Sequence, residues 1–310
     1  RLTIGSWREG RRNRNEEKVM HNKFLEKYLD YTPENVISKK GVVIRKIISP
    51  ILRGIVPFVA PNSKLTVVRK AKIPNTPVIF AATYGFREDV EHTIVMAGRQ
   101  AYMLNGSTLQ VFNSFDGITA WVAGMILVDR TDKQSRSSSV DKMVRVLKLG
   151  SSVIMYPEGT WNKSPNELIS GLFPGVYEVA ERSGALVVPI ATYRNEKKAY
   201  GIRDEAFDIC KYDREKGIQI LRDKMATMQY ELIEKYGACN RSDFPYGKEA
   251  DEYWDDFVKC LMSEAEFYDY ELERHTKYRP KGIADPDEVF SFMEKLEPNK
   301  NNQFLFNQRL

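Results

Sequence analysis

Apolar and polar residues alternate along the middle of the chain in short blocks that are typical of strands connected by helices. Strand-like runs rich in Val, Ile and Tyr, bounded by Gly, Pro and Asn, lie at 65–69, 77–82, 101–104, 125–128, 152–156 and 186–192. Segments with a helical pattern fall between them at 89–98, 138–149 and 175–183. This order predicts an α/β fold with a mostly parallel central sheet covered by helices.

The two ends of the chain have a different pattern. Residues 205–236 and 248–274 are long, charged and helical in period. Residues before the first strand are polar, Arg-rich and then apolar. We therefore expect a basic N-terminal segment with amphipathic helices at 1–64, an α/β domain at 65–195 and a C-terminal helical extension at 196–310.

Residues 42–60 form an apolar stretch that cationic side chains interrupt and flank. Pro50 and Pro57 lie inside it, and each is expected to kink or end a helix. Helices of this kind lie in the headgroup region of a membrane and favour anionic lipid. The other interpretation is a core helix under the sheet.

The charge is uneven along the 310 residues. The net charge is +5, but residues 240–310 carry ten Lys and Arg against sixteen Asp and Glu, so that the first 239 residues carry +11. Such a basic region suits an anionic partner, which is a membrane surface, a phosphorylated substrate or a nucleic acid. The chain has no helix-turn-helix, zinc or aromatic RNA-binding signature, so we expect no nucleic acid partner.

The cysteine and hydropathy patterns indicate in which cellular compartment the protein is expected. Three widely spaced cysteines without a C-x-x-C pair predict neither a metal site nor a disulfide framework and suit a reducing cytoplasm. No apolar run reaches the roughly 18 residues that a membrane span needs. We therefore expect a protein that associates with a membrane peripherally.

Four short segments in the middle of the chain carry the sequence evidence for function. They are PVIFAATYGFRED at 77–89, GMILVDR at 124–130, VIMYPEGTWN at 153–162 and LVVPIAT at 186–192. The first runs from a strand into a helix start, and the others contain a strand or end one.

In this order the segments resemble the four blocks of the glycerol-phosphate and lysophosphatidate (1-acylglycerol-3-phosphate) acyltransferase family, bacterial type. The family's blocks are H-x-x-x-x-D after a hydrophobic strand, a strand ending in Arg, P-E-G-T, and an apolar strand with Pro. The resemblance covers about residues 65–195. It implies the glycerolipid acyltransferase fold and an enzyme of phospholipid biosynthesis.

The resemblance also implies substrates and location. A fatty acyl group would pass from acyl-CoA or acyl carrier protein to a lysophosphatidate-like acceptor, without a metal or a tightly held cofactor. The acceptor hydroxyl would attack the thioester directly. The protein would lie at the cytoplasmic face of the membrane, held peripherally on its anionic surface.

Family roles carry over onto matching residues. Acyl transfer needs a base for the hydroxyl proton, and a His oriented by a carboxylate supplies one. Asp89 matches the family Asp, but Tyr84 occupies the catalytic His position. Arg130 matches the Arg that contacts the acceptor phosphate. In the third block Glu158 is expected to orient the acceptor or a cation, while Gly159 allows close backbone approach and Thr160 offers a hydroxyl.

Tyr84 leaves two outcomes open. A free Tyr has a pKa of about 10, so as a base at pH 7 it starts about 4 kcal/mol behind a well-placed His. The chain is then either an acyltransferase or a catalytically impaired member that binds lysolipid or acyl donor at the membrane surface. His92 would face the same side of a helix as Asp89 and form a substitute pair, or else lie on the surface one turn into that helix.

Two further positions depart from the family pattern. Trp161 and Asn162 follow the third block, where the family often has Arg-Ser, so one phosphate ligand is missing and Lys163 or Arg136 is a candidate replacement. The family Lys before the second block is also absent, because Asn105 and Gly106 lie in that region. The acceptor headgroup therefore stays open.

Overall fold

One mixed sheet organises the chain. The computed structural model describes residues 30–59, 64–85, 89–106, 122–130, 132–160, 162, 167–195, 198–237, 283–289 and 291. Within them seven strands form a single sheet in the order β1-β7-β6-β2-β5-β3-β4. The strands are β1 (Lys64–Lys70), β2 (Val78–Ala82), β3 (Ala101–Gly106), β4 (Met125–Val128), β5 (Ser152–Met155), β6 (Leu186–Asn195) and β7 (Lys198–Arg203).

Helices connect and cover these strands. They are α1 (Pro33–Val36), α2 (Lys39–Val59), α3 (Asp89–Ala97), α4 (Lys133–Lys148), α5 (Gly175–Ser183), α6 (Arg214–Tyr236) and α7 (Pro286–Val289), with a 3₁₀ turn at Ile209–Lys211. The predicted helix at 248–274, residues 1–29 of the basic segment, and Trp161 and Lys163 lie outside the described residues.

The mostly parallel α/β sheet predicted from the sequence is confirmed. Neighbouring strands pair in parallel except β6 and β7, which pair antiparallel. Every residue of β2 is fully buried, because apolar clusters cover both faces of the sheet. This burial explains why β2 is a continuous apolar run instead of an alternating one.

The sheet continues beyond the predicted boundary at residue 195. Residues 198–203 form β7, which inserts between β1 and β6 and gives the sheet its single antiparallel pair. The described part of the expected helical extension therefore begins with a strand. The rest of that domain division stays a prediction.

Helix α4 begins five residues before the predicted start at residue 138. Asp132 accepts hydrogen bonds from the backbone N–H groups of Gln134 and Ser135, at 3.0 and 3.1 Å, and so caps the helix. The apolar period begins only at Val140, since the first turns carry Ser and Arg. The cap, not the apolar pattern, sets the helix start.

Helix α2 runs through Pro50 and Pro57, so that neither proline ends the helix at its own position. Contacts on both sides of Pro50 hold it: Arg45 lies over the Tyr102 ring, at 5.2 Å from its centroid, and Arg53 donates to the Gly98 carbonyl. The helix thereby crosses the edge of the sheet where β3, β4 and β5 begin. Among the described helices, α2 included, none combines the length and the hydropathy of a membrane span.

Candidate functional site

The four sequence blocks meet at one edge of the sheet. Strands β2, β5 and β6 are parallel neighbours, and β4 is parallel to β3 in the same direction. The carboxyl ends of parallel strands lie at a common edge, which is where α/β folds bind ligands. Residues 83–85, 129–130 and 156–160 therefore converge there, with the beginning of α3.

Asp89 is held rigidly at the first position of α3. Its side chain is fully buried, yet both carboxylate oxygens accept hydrogen bonds. The Gly85 N–H donates to one oxygen at 2.5 Å, and the Thr192 hydroxyl donates to the other. The helix N-terminus also favours a negative charge. The first and fourth blocks are thus joined through one oriented carboxylate.

The backbone of Tyr84 is fixed on both sides by the third block. Its N–H donates to Oε1 of Glu158 at 3.2 Å, and its carbonyl accepts from the Asn162 N–H at 2.8 Å. Neither contact involves the Tyr84 side chain. These two hydrogen bonds are therefore available to residue 84 whichever side chain it carries.

Glu158 joins two loops through a buried carboxyl group. Its second oxygen accepts from the Ser170 N–H at 2.9 Å, and its side chain is 1% exposed. Burial raises the pKa of this carboxyl to about 8, although the two N–H donors and Arg222 oppose the rise. The group is then mostly protonated at neutral pH. At 1% exposure the side chain would have to become accessible before it could contact an acceptor or a cation directly.

The Tyr84 ring lies against Tyr156. The ring centroids are 4.5 Å apart and the planes are tilted by 31°. Burial raises the pKa of Tyr156 well above its usual value, and the nearby Asp89 raises it further. The hydroxyl oxygens of Tyr156 and Thr93 are both buried and neither makes a hydrogen bond of good geometry. A polar layer therefore lies behind Tyr84, between β5 and α3.

Gly159 is required by its own backbone and by a close neighbour. Its φ is +78°, and a Cβ atom there would lie 2.4 Å from Cε2 of Phe173. The ring of Phe173 covers the space that the sequence interpretation left for a ligand. The Gly159 carbonyl accepts from the Arg130 guanidinium, which joins the second block to the third. Thr160, the next residue, is buried.

Two other candidates occupy distinct positions. His92 is only 3% exposed, which rules out the predicted surface position. Arg136 donates to the backbone carbonyl of Arg130, so that it lies beside the predicted phosphate ligand. Asn105 and Gly106 pair with Leu127 and Val128 of β4, near the same edge.

Sequence reasoning did not identify several residues that position the site. Thr192 and Ser170 bind the two acidic side chains, and Arg222 donates to the carbonyls of Ile169 and Ser170. A polar residue closing the apolar run LVVPIAT was the available signal for Thr192. Ser170 and Arg222 gave no signal, because their roles depend on distant segments. In the described part of the chain no group of His, Cys, Asp and Glu side chains is arranged to hold a metal ion.

Comparisons with known proteins converge on one family. Residues 64–193 match the family model described as Acyltransferase. The chain is 24% identical over 133 residues to a 1-acyl-sn-glycerol-3-phosphate acyltransferase from Chlamydomonas reinhardtii, a match covering 42% of this chain and 39% of that protein. It is 24% identical over 135 residues to the chloroplastic 1-acyl-sn-glycerol-3-phosphate acyltransferase LPAT1 from Arabidopsis thaliana, covering 42% of this chain and 36% of that protein.

The matched segment therefore spans about two fifths of the length of these curated relatives. Among solved structures, the 1-acyl-sn-glycerophosphate (LPA) acyltransferase PlsC from Thermotoga maritima is similar with a TM-score of 0.49 and 14% identity. That similarity covers 61% of this chain and 81% of that one.

The raised pKa of Glu158 predicts a pH-dependent stability. A carboxyl whose pKa is about 8 when folded and 4.5 ordinarily stabilises the fold fully below pH 4.5, and this contribution is lost as the pH rises towards 8. Glu158→Gln stays neutral at every pH. We expect its free energy of unfolding, measured by urea denaturation at a series of pH values, to fall less steeply across that window.

Glu215→Gln is the matched control, because Glu215 is exposed on α6. It should keep the slope of the parent chain. An equal slope in Glu158→Gln and the parent would mean that Glu158 is ionised in the folded protein.

Loss of the hydrogen bond from the Thr192 hydroxyl to Asp89 is predicted to destabilise the fold. Thr192→Val keeps the side-chain shape but leaves one buried oxygen of Asp89 without this donor. An unsatisfied buried group costs about 1–3 kcal/mol, so chemical denaturation should show a loss of that size. Thr66→Val on the exposed β1 strand should change stability little. Equal losses in the two variants would contradict the assigned role of Thr192.

Proposed function

Because residues 64–193 belong to the Acyltransferase family that includes the 1-acylglycerol-3-phosphate acyltransferases, we propose that this chain acts in acyl transfer to a glycerophospholipid acceptor. The donor is a thioester of acyl-CoA or acyl carrier protein, and the acceptor is lysophosphatidate-like. The product class places the protein in phospholipid biosynthesis. The alternative is an impaired member that binds the same ligands at a membrane without turnover.

The proposed reaction is a single displacement. The acceptor hydroxyl oxygen attacks the thioester carbonyl carbon, the C–S bond breaks, and the thiol leaves with a proton. The hydroxyl proton passes to a base at position 84. Asp89, oriented by Gly85 and Thr192, stabilises the charge that develops on that base. No covalent acyl-enzyme is needed.

The observation that carries this proposal is the fixed backbone at residue 84. Glu158 accepts from the N–H of Tyr84, and the N–H of Asn162 donates to its carbonyl. Asp89 lies at the first position of α3, where the Gly85 N–H orients its carboxylate. We infer that the geometry for a base at this position is retained.

Arg130 is proposed to contact the acceptor phosphate. Its guanidinium is partly exposed and lies at the Gly159 carbonyl, and Arg136 lies beside it. Guanidinium groups bind phosphate through paired, charge-assisted hydrogen bonds. Two neighbouring arginines would supply the positive charge that the missing Arg-Ser pair otherwise provides.

The impaired alternative rests on Tyr84 itself. Its ring lies against Tyr156, so the side chain fills space behind the catalytic edge. A phenol with an ordinary pKa of about 10 is ionised in roughly one molecule in a thousand at pH 7. Ligand binding would survive this substitution, while proton transfer would be slow.

We also propose that the chain is a peripheral protein of the cytoplasmic face of a membrane. On α2 four large apolar side chains are exposed on one face: Val43 at 48%, Ile44 at 57%, Ile47 at 70% and Ile51 at 66%. Lys39, Lys40 and Lys46 are exposed around them. An apolar face bordered by cations is typical of helices that lie in the headgroup region of anionic membranes.

Tyr84→His tests the catalytic proposal directly. A general base is worth about 10²- to 10⁴-fold in rate, so acyl transfer from acyl-CoA to lysophosphatidate should rise by that factor. Asp89→Asn in the same chain should remove most of the gain. Tyr84→Phe keeps the ring against Tyr156 and tests whether the phenol hydroxyl contributes at all.

Tyr230→His, on an exposed part of α6, is the control and should leave the rate unchanged. If the parent chain already equals Tyr84→His, another group is the base and the role given to position 84 is wrong. If neither form transfers an acyl group from either donor class, the binding alternative replaces the catalytic one.

Arg130→Ala tests the acceptor site, in the Tyr84→His background. A charge-assisted hydrogen bond is worth about 1.5–3 kcal/mol, so the KM for the acceptor should rise by about ten- to a hundredfold while the KM for the donor changes little. Arg182→Ala, which removes a partly exposed partner of Asp141, should change neither constant. Equal changes in both constants for Arg130→Ala would contradict a phosphate contact.

A further inference from the structure

Both backbone hydrogen bonds of residue 84 lead to the loop before α5. On the N–H side, Tyr84 donates to one oxygen of Glu158, and the Ser170 N–H donates to the other oxygen at 2.9 Å. On the carbonyl side, Tyr84 accepts from the Asn162 N–H, and the side-chain amide of Asn162 donates to the Glu167 carbonyl at 2.9 Å. Two separate paths from position 84 therefore end on this loop.

One side chain of α6, Arg222, contacts this loop, residues 167–170, at three residues. Its guanidinium donates to the Ile169 carbonyl through Nη2 at 2.7 Å and through Nε at 3.1 Å, and to the Ser170 carbonyl through Nε at 3.2 Å. It also lies 3.5 Å from a carboxylate oxygen of Glu167, whose side chain is only 7% exposed. The planar fork of an arginine can reach several acceptors at once, whereas a lysine presents one ammonium group.

The packing of α6 fixes where Arg222 lies. Leu221 and Met225 of the same helix are fully buried in the core. A Cβ atom at Gly217 would lie 2.8 Å from the Ile209 carbonyl oxygen, so the backbone of the 3₁₀ turn leaves no room for a side chain there. Arg222 therefore extends from a helix that is packed closely against its neighbours to a loop of the candidate site.

The positive charge of Arg222 also acts on Glu158. Burial raises the pKa of Glu158 to about 8 and the charge of Asp89 acts in the same direction, whereas the two N–H donors and Arg222 oppose the rise. The guanidinium that contacts the loop thus also stabilises the ionised form of the carboxyl group that joins the loop to residue 84. Hydrogen bonds and charge both connect α6 with the candidate site.

We propose that Arg222 is a positioning residue of the candidate site, and that it keeps residue 84 in place through the loop at 167–170. Without its donors this loop would shift, and its hydrogen bonds with Glu158 and Asn162 would shift with it. Misplacement of a reacting group by about 1 Å can cost roughly a hundredfold in rate. This inference rests on the proposed function of position 84. It adds a helix that lies beyond the residues matched by the family model.

Arg222→Gln in the Tyr84→His background is the first test. It should lower the kcat of acyl transfer from acyl-CoA to lysophosphatidate by about 10- to 100-fold. The KM of each substrate should change less than about twofold, because the loss concerns the base and not a contact with a ligand. Arg222→Lys keeps the charge without the fork of donors and should recover part of the loss. Thermal unfolding establishes that each variant is folded at the assay temperature.

Lys224→Gln is the matched control on α6. The Lys224 side chain is 37% exposed and lies 3.5 Å from Asp204, while that of Arg222 is 32% exposed and lies at the same distance from Glu167. The control removes a similar ion pair, but one with the residue after β7 instead of the loop, so kcat should stay unchanged. A fall in kcat equal to that of Arg222→Gln would assign the effect to a destabilised α6 and overturn the proposal.

Hydrogen exchange tests the link without turnover. In the parent chain, Arg222→Gln should speed the exchange of the Tyr84 and Ser170 amides by about tenfold or more, because both donate to Glu158 and the loop has lost a charge-assisted contact. Lys224→Gln should not speed it. Unchanged exchange at both amides would overturn the proposal, and so would an unchanged kcat. An inactive Tyr84→His chain would overturn the proposed function instead, because the exchange measurement needs no acyl transfer.

Discussion

The buried carboxyl group of Glu158 joins the loop after β2 to the loop before α5, and the geometry of the candidate site depends on that junction. Its two oxygens accept from Tyr84 and Ser170, which are separated by 86 positions in the chain but meet across the strand ends. A carboxyl buried to this extent is stable mainly in its neutral form. Glu158 therefore fixes the backbone of two loops at the site. A second acidic residue, Asp89, lies nearby and accepts hydrogen bonds from Gly85 and Thr192.

The hydrogen bonds that hold residue 84 in the site involve its backbone and not its side chain. Backbone hydrogen bonds fix the chain there, so a Tyr or a His begins from the same Cα position. The Tyr84 ring contacts Tyr156, and a phenol ordinarily has a pKa of about 10, well above that of an imidazole. The chemical character of the side chain at position 84 can therefore change while these backbone hydrogen bonds stay.

The sheet also keeps two kinds of surface apart. Residues that follow β2, β4 and β5 form the candidate catalytic edge, whereas α2 crosses the edge where β3, β4 and β5 begin. The exposed apolar side chains of α2 lie at that second edge. Parallel strands impose this separation, because all their carboxyl ends point the same way.

Local patterns in the sequence determined the α/β class, the six predicted strands, α5 and the four blocks that meet at the site. These features depend on residues near one another in the chain. A buried strand appears as a continuous apolar run, and a helix with one buried face shows apolar residues at helical spacing. The prediction that Tyr84 occupies the family's catalytic His position also comes from the sequence alone, because it needs only the order and spacing of motifs. The sequence placed Asp89 and Arg130 in their blocks for the same reason.

Only the tertiary structure decided what depends on distant partners. Strand β7 exists because β1 and β6 supply its hydrogen bonds, and the sheet therefore passes residue 195. Helix α2 continues through Pro50, and it contacts Tyr102 before that proline and Gly98 after it. His92 is buried, Glu158 is turned to backbone, and Phe173 covers Gly159, since each of these positions is set by segments far away in the chain. A sequence pattern records which side chains prefer burial, but the neighbour that each one meets is fixed only when the sheet has assembled.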